Sequence, residues 1–267
     1  MKKERVLLHV NDGIAEVCLN RPDKRNALDL AMFEGLIEAG KAIQANPKVR
    51  VVILYGEGAA FCAGLDFMSM LSLKDGVEKM LEPSSDSPAN FAQRVAWIWH
   101  ELAVPVIAVL HGAVFGGGLQ IALGADIRIA ASDTVLSVME IKWGLCPDMT
   151  ISQTLTKLVN LDTAKLLTFT GKKVKASEAK DLGLVTQVED SPLVAARELA
   201  QNIVQRSPHA IQACKTLLNN GPLLSPKEAF QLEEQLQREL IGSPNQIEAM
   251  QANFMKRSPT FKDVEHH

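Results

Sequence analysis

The 267-residue chain lacks the features that would tie it to nucleic acid, to a metal or to an oxidising compartment. Its 28 Lys and Arg stand against 31 Asp and Glu, so the excess of positive charge that marks a nucleic-acid binder is missing. The four cysteines, Cys18, Cys62, Cys146 and Cys214, are far apart and form no Cys-x-x-Cys pair. That argues against a zinc site or a disulfide framework and for reduced thiols in a cytoplasmic setting. After the basic start, the apolar run Val6 to Val10 is too short for an export signal and soon meets Asp12. Glu265-His266-His267 at the other end is assigned no role. Also missing are a Gly-x-x-x-x-Gly-Lys phosphate loop, a His-Glu-x-x-His pair, a Gly-x-Ser-x-Gly elbow and a full Gly-x-Gly-x-x-Gly after a strand. Nucleotide hydrolysis, zinc proteolysis and Rossmann redox chemistry therefore lose their support.

What is present is a chain that is 47% hydrophobic and patterned as α/β. Val6 to Val10 and Ile14 to Leu19 read as a hairpin around Asn11-Asp12-Gly13, and Leu28 to Ile43 keeps the helical period. Val51 to Tyr55 is a continuous apolar run, the signature of a strand covered on both faces. Leu102 to Ala125 has no formally charged side chain over 24 positions, the length of a membrane span. Pro105, Gly112, Gly116 to Gly118 and Gln120 interrupt it, and a buried strand, a turn and a helix start account for it better. After Leu184 to Val188 helix signals dominate. Ser225-Pro226-Lys227-Glu228 has the residues of a capping box, opening a helix that Gly242 stops.

Two glycine-bearing turns follow buried-looking strands: Gly56 to Asp66, and His111 to Gln120. Glycines at a helix mouth let the backbone approach a ligand, and the first-turn N–H groups are free to donate to an anionic oxygen. Two such turns facing each other would form an oxyanion hole. Close packing of helix on strand is the competing reading.

Taken in order, the motifs resemble those of the crotonase, or enoyl-CoA hydratase/isomerase, superfamily. Phe61-Cys62-Ala63-Gly64-Leu65-Asp66 is similar to its first oxyanion-hole segment, and His111-Gly112 with Gly116-Gly117-Gly118 to the second. Asn20 to Leu28, Thr170-Gly171 through Ala179, Gly183-Leu184-Val185 and Phe261-Lys262-Asp263 extend the match over nearly the whole chain. The resemblance implies an α/β fold, a spiral of ββα repeats over residues 1–200 that carries the acyl-CoA site. It also implies a C-terminal helical trimerisation region over residues 201–267, with homotrimers or dimers of trimers. It implies no cofactor beyond coenzyme A as part of the substrate. By motif position, the N–H groups of Leu65 and Gly117 would hold the thioester oxygen. Arg25, Ala27 and Ala63 would lie along the coenzyme A, with Phe261 and Lys262 reaching over from a neighbouring subunit. Asp66 is either a substrate contact or a cap on the helix that starts there.

Family hydratases place two carboxylates across the double bond, and here those positions are Gln120 and Glu140. An amide can orient water but cannot exchange protons as a carboxylate does. Glu140, among Val138, Met139, Ile141 and Trp143, is expected to have a raised pKa suited to moving a proton between two carbons. Double-bond isomerisation is thus placed slightly ahead of hydration, with a non-catalytic acyl-CoA binder as a third reading. Asp148 is either a second acid or the cap of a helix from Met149 to Leu158.

Overall fold

The computed structural model describes residues 4–72 and 76–264. The terminal Glu265-His266-His267 lies outside the described residues. β1 (Val6–Asn11) and β2 (Ile14–Leu19) form the expected hairpin, from Val6 opposite Leu19 to Asn11 opposite Ile14. Next come β3 (Val51–Gly56), β4 (Val106–Leu110), β5 (Ala113–Phe115), β6 (Ile127–Ala130), β7 (Val135–Ser137), β8 (Val174–Lys175) and β9 (Gln187–Val188). The large sheet runs β1-β2-β3-β4-β6-β9, parallel from β2 onward. A smaller sheet, β5-β7-β8, stands beside it, and the bridges Leu28 to Leu65 and Cys62 to Val114 continue its pairing into earlier loops.

From β2 to β6, each pass of the chain through the large sheet steps into the smaller one or a bridge beside it and then into a helical segment. The helices of these turns are α1 (Leu30–Gln44), α2 (Phe67–Leu71), α3 (Gly76–Met80), α4 (Phe91–Glu101) and α5 (Gly117–Leu123). The spiral of ββα turns follows from that repeated step. In α1 the Asp29 carboxylate accepts from the Met32 N–H, and the buried Met32, Phe33, Leu36, Ala39 and Ile43 keep the helical period. The uncharged run from Leu102 to Ala125 is β4, β5 and α5, and no described helix is long and apolar enough to cross a membrane.

The continuous apolar run in β3 has a direct cause. Val52 and Leu54 face the main core, while Val51 and Ile53 face a second core behind the sheet. That second core is closed by the helix Pro192–Val204, whose Ala196 and Ala200 are fully buried. Small residues there let the helix lie close on the strands. The expected division after residue 200 therefore cuts through a helix that belongs to the spiral. The next helix, Pro208–Asn220, is tied to the sheet by Lys215, whose ammonium donates to the carbonyls of Trp99 and Val104 and to Asp126. By contrast Pro226–Leu240, opened by the expected Ser225 and Glu228 capping box, buries no residue in the single chain.

Candidate active site

The first glycine turn is held from below by Asn26, a residue that sequence reasoning passed over. Its side chain is fully buried, accepts from the Arg21 N–H at 2.8 Å and donates to the carbonyls of Glu57 and Ala60 at 2.9 and 2.8 Å. Its own carbonyl takes the Cys62 thiol. Asn26 has φ of 54°, a left-handed geometry that Asn tolerates better than most residues. Asn in a short turn before a helix was the available signal. Farther along, Leu28 N–H donates to Gly64 and Asp66 N–H to Leu28, so the turn and the start of α1 are laced together.

The second turn is pressed onto the first. The Cys62 N–H donates to Ala113 and the Phe115 N–H to Cys62. At Gly118 a Cβ would meet the Cys62 carbonyl at 2.6 Å, so only glycine permits this approach. Gly64, at φ of 93°, lies where a Cβ would be 2.9 Å from the Phe115 carbonyl. Close packing accounts for the glycines at these positions and is what brings the two turns side by side. Among the described residues, no backbone acceptor takes the N–H of Leu65 or of Gly117. Both residues line one pocket of about 250 Å³, together with Ala63, Glu140, Trp143 and Asp148.

Glu140 opens a short 3-10 turn, Glu140–Trp143, just after β7. Burial raises its carboxyl above the ordinary range, and the nearby charge of Asp148 adds to that. The Gln120 amide opposes the rise by donating to Oε1 of Glu140 at 2.7 Å. Oε2 is buried and has no partner. The other end of the Gln120 amide accepts from the Met149 N–H at 2.9 Å, and Gln120 does not line the pocket. The amide that was expected to orient water is thus engaged with protein at both ends.

Asp148 also lines the pocket, and partial desolvation raises its carboxyl as well. It does not cap the following helix. That helix, Ile151–Leu158, has Thr150 at its N-cap with φ of 74° and no side-chain cap. Asp66 does cap: it accepts from the Ser69 N–H and hydroxyl and pairs with Arg21 at 2.8 Å. Its carboxylate is taken up by those partners, and Asp66 does not line the pocket. Hydrogen bonds to the ionised form hold it below the ordinary carboxylate range despite partial burial.

Arg25 is exposed and its carbonyl accepts from the Ala63 N–H; Ala63 lines the pocket, while Arg25 and Ala27 do not. Phe261 and Lys262 do not line the pocket of their own chain. Their backbone is fastened elsewhere, Phe261 to Arg50 and Lys262 to Asn245. His111 is structural, with its ring against the Gly58 carbonyl at 3.0 Å. Cys62 is buried and its thiol is pushed up to about 12, which makes it a packing residue and no nucleophile. Of the tryptophans, Trp99 is core, its ring N–H donating to the Val95 carbonyl, while Trp143 packs at a tilt of 37° against Phe67, with ring centroids 4.6 Å apart, and lines the pocket.

An α/β spiral thus brings two main-chain N–H groups without a backbone acceptor and a carboxyl raised by burial to the wall of one pocket. The sequence model of the enoyl-CoA hydratase/isomerase family matches residues 9–264, and the chain belongs to that family. It is 33% identical over 261 residues to the mitochondrial enoyl-CoA hydratase domain-containing protein 2 of Mus musculus, covering 94% of this chain and 85% of that one. To the mitochondrial Delta(3,5)-Delta(2,4)-dienoyl-CoA isomerase of Mus musculus it is 32% identical over 258 residues, covering 91% and 77%. The crystal structure of an enoyl-CoA hydratase from Bacillus anthracis matches with a TM-score of 0.88 at 29% identity, covering 97% and 99%. The chain has the crotonase fold.

Proposed function

We propose that this protein shifts a carbon–carbon double bond within an acyl-CoA thioester, from the 3,4 to the 2,3 position. The N–H groups of Leu65 and Gly117 donate to the thioester oxygen and take up the negative charge that develops there. The Glu140 carboxylate removes a proton from C2; the C–H electron pair spreads into a dienolate. The same carboxyl then returns the proton to C4, and the double bond ends between C2 and C3 with no atom gained or lost. A single raised carboxyl suits both halves of that exchange.

The observation that carries this reading is Glu140 itself, a residue of the pocket wall whose Oε2 is buried without a hydrogen-bond partner. Hydration, the alternative, needs a group opposite Glu140 to hold water, and the engagement of Gln120 at both ends weighs against it. A second reading is favoured by the position of Asp148 in the same wall: two acids at opposite ends of a diene could relay a proton over a longer distance. Coenzyme A serves as a handle rather than a cofactor. Arg25 and Ala27 lie along it, and Phe261 and Lys262 would be supplied by another copy in a homotrimer or dimer of trimers. The free cysteines suit a reducing, cytoplasmic setting.

The test is to supply 3-enoyl-, 2-enoyl- and 3,5-dienoyl-CoA of short to long chain and follow the absorbance of the conjugated thioester. Its appearance from 3-enoyl-CoA supports the isomerase. Its loss from 2-enoyl-CoA supports hydration, and a product from the dienoyl substrate alone supports the two-acid relay. Binding without turnover, unchanged by Glu140→Gln, would instead favour a non-catalytic acyl-CoA binder.

A further inference from the structure

We propose that Gln120 is a positioning residue that gives the two oxygens of Glu140 different duties, Oε1 held as a permanent acceptor and Oε2 left to take and return the proton. The inference deepens the isomerase reading and rests on it for its rate measurements alone.

The orientation of a buried amide follows from its partners. A backbone N–H can only donate, so the Met149 N–H at 2.9 Å must face the carbonyl oxygen of Gln120. The amino end then points to Oε1 of Glu140 at 2.7 Å, and Oε1 must accept. A proton on Oε1 would meet a fixed donor, which leaves Oε2 as the oxygen that changes state. Oε2 is the one with no protein partner, and Glu140 lines the pocket. Gln120 is 1% exposed, so water does not reach in to rearrange the pair. The Met149 N–H is itself aimed by a constrained turn in which Thr150 adopts φ of 74°, an uncommon geometry for a β-branched residue. An amide holds this arrangement at every pH, whereas a carboxyl at residue 120 could donate to Oε1 only while protonated. Asp148 is the titratable neighbour whose charge acts on Glu140, and it is unchanged in the variants below.

Gln120→Met keeps the volume and removes both hydrogen bonds. The expected result is a fall in kcat of about a hundredfold, with KM within about twofold. The acid limb of the rate profile should move to higher pH, because a donor that favours ionised Glu140 is gone. Gln120→Glu should give a bell displaced toward acid, its activity recovering as the introduced carboxyl gains the proton needed to copy the amide. A Met variant with the parent's kcat and pH profile would overturn the proposal, as would equal loss in both variants at every pH. If the Met variant does not fold, the pH pattern of Gln120→Glu decides. A substrate-free readout separates this from the isomerase reading: NMR titration of Glu140 in the full chain carrying ¹³C-labelled glutamate carboxyls. A midpoint raised by Gln120→Met, in a protein that turns over no enoyl-CoA, would retain the positioning role and discard the isomerase. An unchanged midpoint would discard the positioning role.

Discussion

Replacing Asn26 with alanine tests whether one buried amide holds the oxyanion turn in place. Three hydrogen bonds are lost, but they do not weigh equally. The Arg21 N–H and the Ala60 carbonyl are bonded to Asn26 in fully buried surroundings, while the Glu57 carbonyl is near the surface and can take water instead. Two stranded backbone groups at about 1–3 kcal/mol each give roughly 4 kcal/mol. Alanine at φ of 54° adds about 1 kcal/mol of left-handed strain. For a chain of this size that predicts a melting temperature lower by roughly 10–20 °C, with a urea midpoint lowered and the slope unchanged. Asn26→Asp is a sharper version, since it keeps the acceptor toward Arg21 but sets a carboxylate against two carbonyls; it should destabilise by a similar amount and recover as the carboxyl is protonated. Turnover should fall in both variants even where they remain folded, because the strand of backbone that presents the Leu65 N–H loses its support. A loss of less than about 1 kcal/mol in Asn26→Ala would refute the reasoning.

Gly117→Pro removes one oxyanion donor at the first position of α5, where proline is well tolerated by a helix. A Cβ there meets only the flexible ends of Met149 and Leu28, so circular dichroism should show a folded protein with kcat lower by about 10²–10³-fold; unchanged turnover would remove these amides from the mechanism. Glu140→Gln should abolish isomerisation and also raise the melting temperature at neutral pH. Glu140 holds its proton more tightly folded than unfolded, so stability declines as pH rises from the unfolded value of 4.5 through the raised folded one. The gain should vanish below pH 4.5, and an equal gain in acid would contradict the burial argument. A thiol reagent should label exposed Cys146 and Cys214 and spare Cys18 and Cys62 in the native protein. Because Cys146 lines the pocket, acyl-CoA should protect it and leave Cys214 reactive; protection of neither would place the acyl group elsewhere.

The parts of this structure that were legible from sequence are those set by local pattern. The hairpin turn at Asp12-Gly13, the two-faced burial of β3 and the Ser225 capping box each follow from neighbouring residues. The paired glycine turns were legible as well, because a close approach of backbone to backbone excludes every other residue at Gly118. What escaped depends on contacts distant in sequence. Asn26 bonds to residues more than thirty positions away, and its place in a short turn before a helix hints at a turn residue but not at those partners. The direction of the Gln120 amide was hidden for the same reason, since Met149 and Glu140 fix it from two later segments. That residue 200 lies inside the helix Pro192–Val204 was hidden too, because a helix with small residues reads alike whether it covers the sheet or extends from it.

Part of the unsatisfied polarity lies at the site. Among the described residues, three buried side-chain atoms lack a hydrogen-bond partner: Arg94 Nε, Glu140 Oε2 and Thr150 Oγ1. One of the three belongs to the carboxyl in the pocket wall, and another lies on the turn that aims Met149. The N–H groups of Leu65 and Gly117 add two main-chain donors without a backbone acceptor. Each stranded group costs about 1–3 kcal/mol, and a fold has no structural reason to gather them beside an apolar pocket. A ligand whose carbonyl oxygen needs two donors and whose adjacent carbon needs a proton acceptor turns every one of those pocket groups into a partner. The stability given up when the chain folds is then regained when the reaction's charge forms, since the donors are already in place and need no reorganisation.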